Sequence, residues 1–198
     1  MENINIGFAM CGSFCTFSKS IPQLELLVEK GFNVYPIMSE TAYSTDTRFG
    51  AAQYFIDKIE SLTNKKIINS IYYAEPIGPK KLLDILVVAP CTGNTLAKIS
   101  YGIADSSVTM AVKSHLRNQK PVLLAVSTND ALGNAAKNIG SLMNFKNVYF
   151  VPMGQDDYVN KPNSIVADFD SIYPAMMSAL EGKQHQPLIL SPKKSDQT

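Results

Sequence analysis

Two stretches of the chain are apolar at every position: ILVVA at residues 85–89 and VLLAV at 122–126, the latter preceded by Pro121. Such runs predict strands covered on both faces, as in a parallel sheet. NINIGFAM (3–10) and FNVYPIM (32–38) predict two earlier strands, and NVYFVP (147–152) predicts the last one. Ile21, Leu24, Leu27 and Val28 recur at helical spacing, so 17–30 is predicted as a helix that Gly31 stops. Further helices are predicted over 49–62, over 95–101 with Gly102 closing it, and over 131–143 and 168–180. Another runs from a cap at Asp105 or Ser106 to about 118. A short strand is expected at 67–71, while 39–47 and 153–164 are polar and read as loops.

Strand and helix alternate throughout. The expected architecture is α/β: a three-layer αβα sandwich with a mainly parallel sheet, Rossmann-like or flavodoxin-like. Residues 1–190 read as one domain without repeats or linkers, and 191–198, SPKKSDQT, as a disordered tail. Ligands of such sheets bind outside the carboxyl ends of the strands. The chemistry should therefore lie in the loops at 11–16, 39–47, 90–95, 127–134 and 153–164.

The first of these, CGSFCT, places the hydroxyls of Ser13 and Thr16 beside Gly12 and ahead of a helix N-terminus, which suits a phosphate. It is neither G-x-G-x-x-G nor a Walker loop, and a plain strand-to-helix turn explains it equally well. Ser39 can share the same anion or cap the next segment. Lys19 and Arg48 lie close in sequence, either as counter-charges or as solvated surface. In PCTGNT, Pro90 is expected to end the strand. Asn94, a donor and an acceptor at a helix start, suits a carboxylate or the polar edge of a ring, while Thr92 or Asn94 can cap that helix.

Composition narrows the function classes. With 18 basic and 17 acidic residues the formal charge is +1, which gives no electrostatic footprint for nucleic acid or an anionic membrane. The chain is 45% hydrophobic and 18% charged, ordinary for a globular protein. No apolar run reaches bilayer length, and MENINIGFAM reads as no signal peptide, so a cytoplasmic protein is expected. Three cysteines, Cys11, Cys15 and Cys91, form no disulfide framework and lack zinc-site spacing. A thiolate near a helix N-terminus has a lowered pKa, which makes Cys15 or Cys91 a candidate reactive thiol.

The stretch PCTGNTLAKISYGIADSSVTMAVK (90–113) resembles the P-A-S-A-N-T region of the flavin-dependent cysteine decarboxylase family, whose members bind FMN. CGSF (11–14) resembles that family's first phosphate loop, Ser39 its second-strand phosphate contact, and Ser127-Thr128-Asn129 its Pro-x-Met-Asn segment. The likeness covers residues 4–150. It implies that Gly12, Ser13, Phe14, Ser39, Thr92, Gly93, Thr95 and Ser127 contact FMN. Asn94 and Asn129 would lie beside ring and substrate as catalytic groups, with Asn94 gripping substrate carboxylate and no metal involved; outside the likeness, Lys161 in the late loop reads either as a cation for a substrate carboxylate or, with Pro162, as a solvated kink. A trimer-based homo-oligomer is also implied.

Longer blocks, EPIGPKK (75–81), HLRNQKPV (115–122), KNVYFVPMGQDD (146–157) and KPNSIVAD (161–168), resemble one branch of the family. Its members are halves of a two-part oxidoreductase acting on a small dicarboxylate in the cytoplasm of the mother cell of a sporulating bacterium. The resemblance implies a separate partner chain, with NAD(P) on that partner.

The chain departs from the decarboxylase pattern. No histidine stands in 60–88, and no cysteine follows Cys91 to serve a substrate flap. His115, near a helix end, is expected at the far edge of the sheet, meeting the helix C-terminal dipole. Asp156 and Asp157 read either as acid–base groups or as a turn. A stand-alone FMN-dependent decarboxylase and a non-catalytic assembly partner remain as alternatives.

Overall fold

The computed structural model describes residues 4–191, so all but the first residue of the expected tail lies outside the described residues. Five strands run parallel: β1 (Asn5–Met10), β2 (Asn33–Met38), β3 (Ile85–Cys91), β4 (Val122–Thr128) and β5 (Val148–Phe150), in the order β2-β1-β3-β4-β5. Side chains alternate between the two faces of a strand. On β1, Ile6, Phe8 and Met10 enter one core while Ala9 enters the other. That double burial is why the strands read as apolar without alternation.

The first layer is α1 (Phe17–Glu29), α3 (Ala52–Thr63) and α8 (Ile172–Leu180), packed through Leu24, Leu27, Phe55, Ile59, Ile172 and Met176. The second contains α5 (Gly93–Ser100), α6 (Ser107–Leu116) and α7 (Ala136–Met143), packed through Leu96, Val108, Val112, Ile139 and Leu142. Each such side chain taken fully out of water contributes roughly 1.5–3 kcal/mol. Gly7 leaves room for its neighbours in β1, because a Cβ there would lie 2.5 Å from Leu83 and 2.7 Å from Leu86 and would force those side chains to shift.

Several elements differ from expectation. Residues 39–47 contain a short helix, α2 (Glu40–Ser44), since the Ser39 hydroxyl accepts the Ala42 N–H and caps it. The helix expected from 49 starts at Ala52, after a tight turn in which Thr47 and Gly50 bond each other and Asp46 accepts the Ala52 N–H. The strand expected at 67–71 reduces to one parallel bridge, Ile37 to Ile68, followed by α4 (Ile71–Ala74). Pro90 does not end β3. The strand continues to Cys91 through an irregularity in its pairing with β4. The helix expected from 131 starts at Ala136, because residues 129–135 turn before it begins.

β5 is not the last strand. β6 (Met153–Gly154) and β7 (Ile165–Ala167) follow, and β7 pairs antiparallel with the end of β4 through Ser127–Val166 and Thr128–Ile165. These strands are two and three residues long, too short for periodicity to register.

His115, in the last turn of α6, is fully buried rather than set as a cation at the helix end. Its Nε2–H donates to the Pro121 carbonyl at 3.1 Å, while Nδ1 is buried without a partner among the described residues. Burial, aided by Lys120, pushes the imidazole down to about 4, against the raising effects of the Pro121 carbonyl and Asp84. The folded pKa is thus below the unfolded value, and the unfolded chain binds more protons as pH falls. Stability is expected to drop between pH 6.5 and 4, by up to roughly 3 kcal/mol from this residue. In denaturant titrations across that window, His115→Gln should show a flatter profile than the parent chain.

Candidate functional site

The parallel order brings the ends of β1, β3 and β4 to one edge. Cys11 N–H donates to the Pro90 carbonyl at 3.3 Å, tying the first loop to the end of β3. The Ser13 and Ser127 hydroxyls lie 2.9 Å apart, joining that loop to the end of β4. Thr16 then donates to the Ser13 carbonyl at 2.7 Å and fixes the loop internally. Phe14 packs against Phe17 with ring centroids 5.4 Å apart. A Cβ on Gly12 would meet only Phe14 and the Thr41 methyl at ordinary contact distance, so packing does not demand glycine there.

The β3–α5 junction is more constrained. The Thr92 hydroxyl caps α5 by accepting the Thr95 N–H at 3.3 Å, and Thr95 Oγ1–H lies 3.2 Å from Cys11 Sγ. Both threonine hydroxyls therefore serve the protein's own structure. The N–H groups of Gly93 and Asn94 open the helix and have no intrahelical acceptor. A Cβ at Gly93 would lie 2.7 Å from Thr128 Oγ1 and 2.9 Å from Asp130 Oδ1, so a larger residue there would push these two side chains aside. Asn94 and Asn129 are exposed, and among the described residues their side-chain amides have no hydrogen-bond partner. The resulting cluster offers hydroxyls, amides and helix N–H groups, all neutral donors suited to an anion or a polar ring edge.

Ser39 sits at the end of β2, where its N–H donates to the Met10 carbonyl and its hydroxyl caps α2. Beside it, Glu40 was not singled out by sequence reasoning. Its carboxylate accepts the Ser107 N–H at 2.9 and 3.2 Å and fills the N-terminus of α6 from within. The contact spans 67 positions of sequence, so no local pattern signals it.

Lys161 lies in the loop after β6, and Leu132 N–H donates to the Asn163 carbonyl at 3.0 Å, which ties that loop to the turn carrying Asn129. Its ammonium is 3.7 Å from Asp156, whose other oxygen accepts the Ser164 hydroxyl at 2.6 Å. Asp157 accepts from the backbone and side chain of Asn160, which hold its carboxyl below the usual range. Both aspartates thus build the loop. Arg48 stacks on Phe49 at 4.9 Å, and Lys19 is exposed on α1.

The structure separates the cysteines. Cys11 and Cys91 are buried, and Cys15 is exposed with its sulfur 3.9 Å from the Ser13 hydroxyl. Burial pushes the Cys11 thiol up to about 11, against the lowering effect of Thr95 and Thr92. Burial, then proximity to Cys11, raises Cys91 well above its ordinary value, so Cys91 is not the activated thiol its position suggested. Among the described residues no three His, Cys, Asp or Glu side chains cluster as a metal site requires.

Comparison with known proteins gives the family of the chain. Residues 1–179 match the family model described as Flavoprotein. The chain is 46% identical to the B subunit of dipicolinate synthase from Bacillus subtilis (strain 168), over 96% of this chain and 95% of that protein. The crystal structure of the dipicolinate synthase B subunit from Bacillus halodurans C superimposes with a TM-score of 0.89 at 44% identity, covering 98% of this chain and 100% of that one. A more distant likeness, at 16% identity and a TM-score of 0.66, is to Burkholderia xenovorans DmrB in complex with FMN, covering 91% of this chain and 97% of that one. It shows the shared fold. The chain belongs to the flavoprotein family.

The burial pattern makes a direct prediction. A thiol-reactive dye at mildly alkaline pH should label Cys15 rapidly in the folded chain, and Cys11 and Cys91 only on unfolding. Counting labelled thiols by mass spectrometry before and after adding denaturant checks it.

Proposed function

We propose that this flavoprotein-family chain is the flavin-holding B subunit of a dipicolinate synthase. It acts with a separate partner, the synthase's A subunit, to convert a dihydrodipicolinate-type precursor to dipicolinate in the cytoplasm of the mother cell of a sporulating bacterium. The observation that supports the reading best is the pair of exposed, unpartnered amides, Asn94 and Asn129. They stand at the strand edge where the Ser13–Ser127 hydroxyl pair joins two loops. The strong identity to a dipicolinate synthase B subunit over nearly the whole chain points the same way.

The residues present fit FMN. Ser13 and the first turn after it offer a hydroxyl and free N–H groups for a phosphate, with Gly12, Phe14 and Ser39 around them. Gly93, Thr92 and Thr95 would meet the cofactor through the start of α5, because the two threonine hydroxyls are already bonded within the protein. Ser127 closes the site from β4. When bound, FMN supplies two-electron redox capacity. Asn94 and Asn129 orient ring and substrate as hydrogen-bond donors and acceptors, and Lys161 faces the second carboxylate as a cation. Aromatising a dihydropyridine ring removes one hydride and one proton; oxidised NAD(P) held by the partner would supply the hydride acceptor, and the proton would leave to solvent. A trimer-based homo-oligomer completes the proposal.

The first test is the absorption spectrum of the purified chain after FMN addition and gel filtration. A retained flavin band is expected, and loss of all flavin on the column would overturn the cofactor assignment. The substrate grip is tested separately. Asn94→Asp places a negative charge where the substrate carboxylate should lie, and dipicolinate affinity measured by calorimetry should weaken by about tenfold or more. Unchanged affinity would remove Asn94 from the site.

A further inference from the structure

Asp130 follows Asn129 directly, and its side chain lies against Gly93, the residue before Asn94. The Thr128 hydroxyl donates to Asp130 Oδ1. A Cβ on Gly93 would stand 2.9 Å from that same oxygen, so the bare Cα of Gly93 leaves the room the carboxylate occupies. The turn beneath is fixed as well, because the Asp130 carbonyl accepts the N–H groups of Gly133 at 2.9 Å and Ala135 at 3.2 Å. The residue is exposed, and its Oδ2 accepts no hydrogen bond among the described residues.

Other carboxylates around this edge are compensated. Glu40 meets the Ser107 N–H at the start of α6, Asp105 has Lys98 at 2.9 Å, and Asp156 has Lys161 at 3.7 Å. Among the described residues no cation pairs with Asp130. Its charge is thus held in one place by Thr128 and Gly93 and left without a counter-charge. The fold does not ask for that charge, since an asparagine would accept the Thr128 hydroxyl equally well.

The oxidised flavin ring is neutral, and a hydride added to it brings one negative charge. A fixed carboxylate nearby opposes that charge and leaves the neutral form almost untouched. We propose that Asp130 sets the reduction potential of the flavin held at this edge and keeps it low. The inference rests on the reading of Asn94 and Asn129 as the ring's neighbours. Reduced nicotinamides are stronger hydride donors than free reduced flavins, so a flavin working in exchange with a partner's NAD(P) has to be tuned downward. Asp130 does so through its charge, as a positioning residue of the electrostatic field and not as a group that exchanges protons.

Reductive titration of the FMN-loaded chain against a reference dye, without oxygen, tests this. Asp130→Asn keeps the acceptor for Thr128 and removes the charge. It should raise affinity for reduced FMN about tenfold relative to oxidised FMN, which moves the two-electron midpoint potential up by about 30 mV. Oxidised FMN should stay bound as in the parent chain. Asp130→Glu, which keeps the charge, should remain near the parent potential, a result that a merely structural role would not give. Should Asp130→Asn lose its folded circular dichroism spectrum, Asp130→Ser decides by the same shift. An unchanged or lowered potential in the folded neutral variant, its loss of oxidised FMN, or an equal rise in Asp130→Glu would overturn this proposal and leave the flavin assignment standing. Failure of the parent chain to retain FMN would overturn the flavin assignment and this inference with it.

Discussion

The arrangement depends on β3 lying parallel between β1 and β4, with both of its faces buried. Parallel pairing on both sides forces the three carboxyl ends to one edge, and full burial of Ile85–Cys91 fixes the strand in register. A one-residue slip would exchange the Val87 layer for the Val88 layer and mismatch both cores. From that constraint follow the contacts that make the edge a site. Cys11 reaches the Pro90 carbonyl, Ser13 reaches Ser127 across β3, and Gly93 accepts the 128–130 turn.

Two helices start near this edge, and the protein treats them differently. The N-terminus of α6 receives an internal anion, the Glu40 carboxylate, so its first N–H is satisfied by the protein itself. The N-terminus of α5 receives only the neutral Thr92 cap, which leaves the N–H groups of Gly93 and Asn94 for something else. A filled helix start is structural cement between α2 and α6, whereas an open one beside two unpartnered amides retains its attraction for an external anion. Electrostatics thus leaves the α5 start, and not that of α6, open to an external anion, although both begin with a well-formed hydroxyl cap.

Much of this was legible from sequence because it is local. The apolar runs at 85–89 and 122–126, the stop at Gly31 and the small polar turn at 92–94 each carry their cause within a few residues. What escaped reading depends on distant partners. Glu40 is defined by Ser107, and β7 exists because the end of β4, beyond its pairing with β5, offers it a ladder. His115 looked like a helix-end cation because its position is right for one. Its burial, which decides its charge, comes from packing that its own segment does not encode. Cys91 illustrates the same limit, since a favourable place near a helix start was outweighed by complete desolvation.

The chemical character of the candidate site follows from its membership. Ser13, Ser127, Asn94, Asn129 and the α5 N–H groups form hydrogen bonds without exchanging a proton near neutral pH. The buried thiols beneath them are held protonated by desolvation, and the nearby Asp156 and Asp157 are committed to their own loop. Such a set is equipped to orient a planar, polar, anionic ligand and poorly equipped to move protons on its own. Residues that hold a ligand without moving its protons fit the proposed oxidation shared between two chains better than an acid–base reaction completed within one.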